Sequence, residues 1–154
     1  MNKSISGFDK WGLEGFILDA IIERGWKEPT EIQIESVPPA RKGRDIVGQA
    51  RTGSGKTAAF GIPILEKCSP TGSIQGIILC PTRELAVQVS GELSILQGKK
   101  GLNIRTVYGG TDIEKQAKNL QKGADIVVGT PGRVIDMSKR GHLELGNISL
   151  FCLD

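Results

Sequence analysis

Five short apolar runs, separated by polar stretches of helical length, constrain the fold of this chain more than any other feature. The runs lie at residues 45–50, 76–81, 103–108, 125–130 and 150–153. Several are unbroken stretches of Val, Ile and Leu, which is typical of strands buried on both faces in a parallel sheet. The stretches between them, 56–68, 83–97, 112–121 and 133–139, have the length of crossover helices. The alternation therefore predicts an α/β domain.

The first third of the chain lacks such runs and is predicted to be helical. Apolar residues recur at helical spacing from Trp11 to Ile21, which predicts one amphipathic helix ending near Gly25. Pro29 and Thr30 indicate the start of a second helix over 32–40. In a parallel sheet, ligands bind beyond the carboxyl ends of the strands, so functional motifs are expected directly after the apolar runs.

Composition excludes several classes of protein. No stretch approaches the roughly 18 apolar residues of a membrane span, and three widely spaced cysteines form neither a disulfide framework nor a zinc site. We therefore expect a reduced, cytoplasmic protein. A net charge of +3 permits nucleic-acid binding without indicating it. The 21 glycines, about twice the usual share, suggest turns where the backbone approaches a ligand.

A glycine-rich segment between the first apolar run and a predicted helix has the pattern of a phosphate-binding loop. Residues 50–57 read Ala-Arg-Thr-Gly-Ser-Gly-Lys-Thr. Gly53 and Gly55 leave room for phosphate oxygens at backbone N–H groups, Lys56 can reach the outer phosphates and the Thr57 hydroxyl can ligate Mg²⁺. Ala50 stands where the general pattern has glycine. A phosphate loop alone names neither the base nor the reaction, although the guanine-reading Asn-Lys-x-Asp pattern is absent.

Four further segments make the interpretation specific. They are 25–33 (Gly-Trp-Lys-Glu-Pro-Thr-Glu-Ile-Gln), 81–86 (Pro-Thr-Arg-Glu-Leu-Ala), Gly109-Gly110, and 130–133 (Thr-Pro-Gly-Arg). In this order, together with 50–57, they closely resemble the DEAD-box family of ATP-dependent RNA helicases. The resemblance, which runs from about residue 8 to 154, implies an α/β fold with a RecA-like P-loop NTPase parallel sheet flanked by helices. It implies a helical Q-motif segment at 1–42 and an incomplete RecA-like ATP-binding domain at 43–154, without the family's second RecA-like domain.

The resemblance also implies how ATP and Mg²⁺ bind. Gln33 would pair with the adenine edge, since its amide both donates and accepts, and Phe8 would stack on the base. Position alone favours Phe8 as a core aromatic, and only its spacing of 17 residues before Gly25 favours the stacking role. The implied nucleotide contacts are Phe8, Lys27, Thr30, Gln33, Arg51, Thr52, Gly53, Ser54, Gly55, Lys56 and Thr57. Lys56, Thr57 and Asp154 would be the catalytic residues, and Thr57 and Asp154 the Mg²⁺ ligands.

The motifs after the later strands are implied to hold the RNA backbone. The implied contacts are Pro81, Thr82, Arg83, Gly109, Gly110, Thr130, Pro131, Gly132 and Arg133. Hydroxyl, guanidinium and helix N-terminal N–H groups suit phosphates, so we expect RNA binding without sequence preference. Taken alone, Arg83 reads as a surface residue and Gly109-Gly110 as a plain turn. Nothing indicates an oligomer.

The sequence ends inside a motif. In the family, an apolar strand leads into Asp-Glu-Ala-Asp, and Asp154 matches the first letter. We therefore expect an incomplete part of a longer helicase that cannot itself complete hydrolysis. A DNA-directed helicase or translocase of the same superfamily remains the alternative enzyme, and a non-catalytic nucleotide- or RNA-binding fragment the alternative outside catalysis.

Overall fold

The computed structural model describes residues 7–51 and 53–154, so Thr52 and the first six residues lie outside the described part. The chain divides into two compact units. The first unit contains residues 7–67 and 95–100, and the second contains 68–94 and 101–154. None of the helices in the described ranges is long and apolar enough to cross a membrane.

The first unit begins with two helical pieces where the sequence predicted one. A 3₁₀ helix spans Gly7–Trp11, and helix α1 spans Gly15–Glu23. Gly12 separates them with a φ of 64°, a left-handed conformation that glycine adopts without strain. The prediction that the helix ends near Gly25 is confirmed, since the Gly25 N–H donates to the Ile22 carbonyl at 2.9 Å.

Helices α2 (Glu31–Arg41) and α3 (Lys56–Lys67) pack against each other in the first unit. The Gln33 side-chain oxygen accepts the Thr30 backbone N–H at 3.0 Å, which is one half of a capping box at the start of α2. Pro38 and Pro39 lie inside α2 without ending it. Arg41 pairs with Glu66 of α3 at 2.7 Å, close to the carboxyl ends of both helices.

The second unit is a parallel sheet of four strands. Its strands are β1 (Gly76–Leu79), β2 (Ile104–Val107), β3 (Ile126–Gly129) and β4 (Leu150–Leu153), in the order β2-β3-β1-β4. The helices α4 (Arg83–Leu96), α5 (Ile113–Gln121) and α6 (Pro131–Lys139) alternate with them along the chain. One buried cluster joins β1, β2 and β3 to α5 and α6 through Ile77, Val107, Val127, Leu120 and Met137, among others. The predicted α/β class is confirmed.

The first of the five predicted strands is wrong. Residues 45–50 form no strand, and Val47 is fully exposed at 103%. A strand exists only where its N–H and C=O groups pair with a neighbour. The sheet in the described residues consists of β1 to β4, and residues 45–50 pair with none of them.

One buried carboxylate organises the loops at the amino ends of the strands. Asp125 is 0% exposed, and its side-chain oxygens accept the backbone N–H groups of Thr71 at 3.0 Å, Gly72 at 2.7 Å and Asn103 at 2.7 Å. Thr71 and Gly72 precede β1, and Asn103 precedes β2. A single side chain therefore accepts hydrogen bonds from both of the loops that lead into β1 and β2.

We expect Asp125→Asn to lower the free energy of unfolding by about 3 kcal/mol, because an amide nitrogen would face a backbone N–H and leave it unpaired. Asp136→Asn is the matched control: Asp136 pairs with Arg140 in solvent, and its loss should cost under about 0.5 kcal/mol. Chemical denaturation measures both. Equal effects would show that Asp125 has no special structural role.

Candidate functional site

The phosphate loop in the first unit has the geometry that a bound anion needs. Gly53 and Gly55 have φ angles of 81° and 86°, and Lys56 is the first residue of α3. The Ser54 N–H donates to the Arg51 carbonyl at 3.1 Å, which closes the turn. Exposed N–H groups and the positive end of the helix dipole meet at such a position. Thr57 follows in the first turn of α3.

The side chains of the loop fit a phosphate as well. Among the described residues, the Ser54 Oγ atom is buried without a hydrogen-bond partner. A groove of about 540 Å³ runs beside it, and its walls come from both the loop and the start of α2. The lining residues are Thr30, Glu31, Ile32, Glu35, Gln49, Ala50, Arg51 and Ser54. A buried hydroxyl without a partner costs free energy, so a ligand oxygen would satisfy it.

Gln33 ties the start of α2 to the phosphate loop. It is 2% exposed, and its amide nitrogen donates to the Gly55 carbonyl at 3.1 Å while its oxygen accepts from Thr30. Gly55 lies so close that a Cβ would fall 2.5 Å from the Gln33 nitrogen. Both ends of the amide are therefore used within the protein, and its pairing with adenine stays a prediction.

Phe8 lies in an aromatic cluster. It is 1% exposed, with its ring centroid 5.6 Å from that of Trp11 and 6.4 Å from that of Trp26. This is the core position that the sequence left open as an alternative, and base stacking by Phe8 stays a prediction. Lys27 and Thr30 are exposed, whereas Thr52 lies outside the described residues.

In the second unit, the motifs that follow three neighbouring strands come to one edge of the sheet. Residues 81–83 follow β1, 109–110 follow β2 and 130–133 follow β3, and these strands are adjacent and parallel. Pro81, Thr82, Arg83, Gly109, Gly110, Pro131 and Gly132 are exposed, and Thr130 and Arg133 are half-buried. The sequence-based placement of these motifs at strand ends is therefore confirmed, and their contact with RNA stays a prediction.

Local contacts orient the first of these motifs. The Thr82 hydroxyl accepts the Leu85 N–H at 3.2 Å and caps α4. The guanidinium carbon of Arg83 lies 4.7 Å from the centre of the Tyr108 ring, a cation–π contact. Tyr108 thereby holds an exposed arginine above the strand ends, a role that its sequence position did not indicate.

Gln116 is the residue at this edge that sequence reasoning missed. It lies on α5, is 9% exposed and contacts Tyr108, Thr111 and Arg133. The sequence feature that could have identified it is its position on the helix, because Gln116 lies on the buried face of α5 with Ala117 and Leu120. A polar side chain on a buried helix face needs partners. Arg133 also donates to the Thr111 carbonyl at 3.1 Å.

Asp154 follows β4 at the same edge. Its N–H donates to the Leu79 carbonyl at 2.9 Å, which continues the pairing of β4 with β1. Burial, and secondarily the negative charge of Asp154, raises the pKa of Cys80 to about 11. Cys80 is 1% exposed and therefore remains a neutral thiol near neutral pH. Within the described residues, no group of three or more His, Cys, Asp and Glu side chains could hold a metal ion.

Comparison with known proteins agrees with this arrangement of motifs. The family model described as DEAD/DEAH box helicase matches residues 30–154, and the chain belongs to that family. It is 48% identical over 148 residues to the DEAD-box ATP-dependent RNA helicase CshA of Streptococcus pneumoniae serotype 4. It is 46% identical to the protein of that name from Bacillus cereus. Each alignment covers 96% of this chain and 28% of the relative.

A solved structure supports the same family. A DEAD box protein from the hyperthermophile Methanococcus jannaschii superposes with a TM-score of 0.92 at 48% sequence identity. The match covers 96% of this chain and 41% of that structure. The chain spans less than a third of the length of the curated relatives that it matches. The family resemblance noted in the sequence is confirmed.

We expect Ser54→Ala to act in opposite directions on stability and on nucleotide binding. Without nucleotide, it should raise the free energy of unfolding by about 1 kcal/mol, because a buried hydroxyl without a partner is removed. Affinity for ADP should fall about tenfold, because one donor to phosphate is lost. Thermal melts and nucleotide titration measure the two effects. The exposed Ser149→Ala is the control, and a destabilised variant with unchanged affinity would make the hydroxyl purely structural.

We expect Cys80 to resist alkylation until the pH approaches 11. With its pKa at about 11, roughly one thiol in a thousand is ionised at pH 8, and only the thiolate reacts. Half-buried Cys152 serves as the reference within the same molecule. Mass spectrometry of iodoacetamide adducts should find Cys152 modified first, and Asp154→Asn should speed Cys80 labelling at pH 9–10. Equal labelling of both thiols at pH 8 would contradict the raised pKa.

Proposed function

We propose that this chain is the ATP- and RNA-binding part of an ATP-dependent RNA helicase, which separates short RNA duplexes locally. The observation that carries the proposal is the phosphate loop of the first unit, with two left-handed glycines and a buried Ser54 hydroxyl without a partner among the described residues. Family membership and the names of the relatives add ATP and RNA as the expected ligands.

The proposed nucleotide site lies along the groove between the loop and the start of α2. Backbone N–H groups at Gly53–Lys56 would surround the phosphates, and the ammonium group of Lys56 would neutralise the outer ones. Mg²⁺ would supply charge neutralisation at the phosphate undergoing transfer. In this proposal the Thr57 hydroxyl of the first unit is a hard oxygen ligand for that ion. The resemblance implies the Asp154 carboxylate of the second unit as another ligand, and that role stays a prediction.

Adenine recognition is proposed for Gln33, with Thr30, Lys27, Arg51, Thr52 and Phe8 contributing. In the described conformation the Gln33 amide nitrogen donates to the Gly55 carbonyl. Pairing with a base edge would have to replace or share that bond. Adenine binding would then directly change a hydrogen bond of the phosphate loop, because Gly55 is one of the glycines of that loop.

RNA binding is proposed for the edge formed by the strand ends of the second unit. Arg83 and Arg133 provide two guanidinium groups, and the starts of α4 and α6 provide helix N-terminal N–H groups. Gly109 and Gly110 have no side chains that would keep a sugar-phosphate backbone away. None of these groups reads a base edge in this proposal, so binding would not depend on sequence.

For the whole protein we propose a second RecA-like domain that closes on the nucleotide, as the resemblance implies. The greater length of the relatives is compatible with this. We also propose a reducing cytoplasmic environment. None of the three cysteines is in a disulfide, and reduced thiols persist in that environment.

The test is ATP hydrolysis by the full-length protein that carries this chain. We expect single-stranded RNA to stimulate hydrolysis, DNA of the same sequence to stimulate it far less, and Lys56→Ala to abolish it. In RNA titrations, Arg83→Ala should reduce the slope of log K against log salt by about 0.7, the value of one phosphate contact on a single strand. Arg140→Ala also removes one positive charge and should leave the slope unchanged, because Arg140 lies at the far end of α6.

The other outcomes identify the alternatives. Equal stimulation by DNA would indicate a DNA-directed translocase. Absence of hydrolysis, with no further loss in Lys56→Ala, would indicate a non-catalytic binding module. A strong preference for one RNA sequence would contradict recognition through the backbone.

A further inference from the structure

Gln116 uses its whole side-chain amide at the strand-end edge of the second unit. Its oxygen accepts the Tyr108 N–H at 3.3 Å and an Arg133 guanidinium N–H at 3.1 Å. Its nitrogen donates to the Tyr108 carbonyl at 3.0 Å and to the Thr111 hydroxyl at 2.7 Å. Gln116 is 9% exposed, and all four bonds are partly buried.

The partners dictate which way the amide points. A backbone N–H and a guanidinium can only donate, and a backbone carbonyl can only accept. The oxygen must therefore face Arg133 and the Tyr108 N–H, and the nitrogen must face the Tyr108 carbonyl. Two acceptor bonds and two donor bonds at one site are a requirement that a carboxylate, an ammonium group or a hydroxyl cannot meet.

These bonds connect two of the three motifs at the edge, the glycine pair at 109–110 and the segment 130–133. Tyr108 and Thr111 flank Gly109 and Gly110, so Gln116 holds both ends of the glycine loop. The Arg133 guanidinium is fixed between Gln116 and the Thr111 carbonyl. Those two bonds use two of its five N–H groups, so Arg133 can be held in place and still donate to a phosphate.

The third motif is connected through the aromatic ring of the same loop. Arg83 lies over Tyr108, whose backbone N–H and carbonyl are both bonded to Gln116. The position of that ring therefore depends on the Gln116 amide. Arg83 and Arg133 lie on different helices, α4 and α6, and both are linked to the glycine loop.

We propose that Gln116 is a positioning residue for RNA binding: it holds the Gly109-Gly110 loop and the Arg133 guanidinium in one arrangement that fits a sugar-phosphate backbone. It does not itself touch RNA. The proposal rests on the proposed RNA contact of this edge. Fixing the loop and the guanidinium in the free protein removes ordering costs that binding would otherwise incur.

The experiment is RNA-stimulated ATP hydrolysis by full-length Gln116→Ala and Gln116→Met. Methionine keeps the volume and the packing of the side chain while removing all four bonds. We expect both variants to raise the half-saturating RNA concentration about tenfold, as for losing bonds to a charged group. The rate at saturating RNA and the affinity for ADP without RNA should stay within about twofold.

Two controls lie on the same helix. Gln121→Ala removes an exposed amide from the end of α5, and Ala117→Gly loosens the buried face of α5 without touching the Gln116 amide. Gln121→Ala should behave as the original protein. If destabilisation of α5 alone were responsible, Ala117→Gly would have the same effect on RNA saturation as the Gln116 variants.

A double-mutant cycle with Arg133→Ala tests the connection directly. If Gln116 acts through Arg133 and its loop, Gln116→Ala should raise the half-saturating RNA concentration less in the Arg133→Ala background than in the original protein. Full additivity would overturn the link between the two residues.

The outcomes separate this proposal from the one it rests on. If Arg83→Ala and Arg133→Ala weaken RNA binding but the Gln116 variants do not, the RNA site stands and the positioning role is refuted. If neither arginine variant changes RNA saturation, the RNA site itself is refuted and the positioning role falls with it. If the Gln116 variants lower only the rate at saturating RNA, or if Ala117→Gly raises the half-saturating RNA concentration as much as they do, Gln116 only stabilises the fold.

Discussion

The parallel pairing of β1 with β3 on one side and β4 on the other is the constraint on which the second unit depends. Its register sets Leu79 beside both Gly129 and Leu153, and Val107 beside Gly129, so all four strands end at one level. Whatever follows each strand must therefore emerge side by side. Pro81–Arg83, Tyr108–Thr111, Thr130–Arg133 and Asp154 share an edge for this backbone reason, before any side-chain contact is considered.

Each end of this sheet has one buried polar side chain that satisfies loop backbone. Asp125 accepts three N–H groups at the amino ends of the strands, and Gln116 bonds the backbone and side chains of the glycine loop at the carboxyl ends. The first role needs acceptors only, which a carboxylate provides. The second needs donors and acceptors together, which an amide provides. The residue types follow from the directions in which the loop groups point.

Local patterns predicted much of this architecture. Unbroken aliphatic runs such as 77–79 and 126–128 predicted buried parallel strands, and the order of runs and motifs predicted that the motifs lie where the strands end. Residues 45–50 have the same local pattern and form no strand, because strand formation depends on a partner that composition does not reveal. The sequence left Phe8 open between a core position and base stacking, and it did not indicate Gln116, for a related reason. Whether an aromatic ring is covered, or a helix amide meets an arginine, depends on segments distant in sequence.

The outer side of β4 has a consequence for how the protein behaves in concentrated solution. Among the described residues β4 ends the sheet, and on it Phe151 and Leu153 are 62% and 73% exposed. An open strand edge with apolar side chains is a template onto which another polypeptide can add a strand. When this chain is handled by itself, β4 is therefore a place where intermolecular strand addition would be expected. Any segment that pairs with β4 would act as a solubilising cover as well as a structural element.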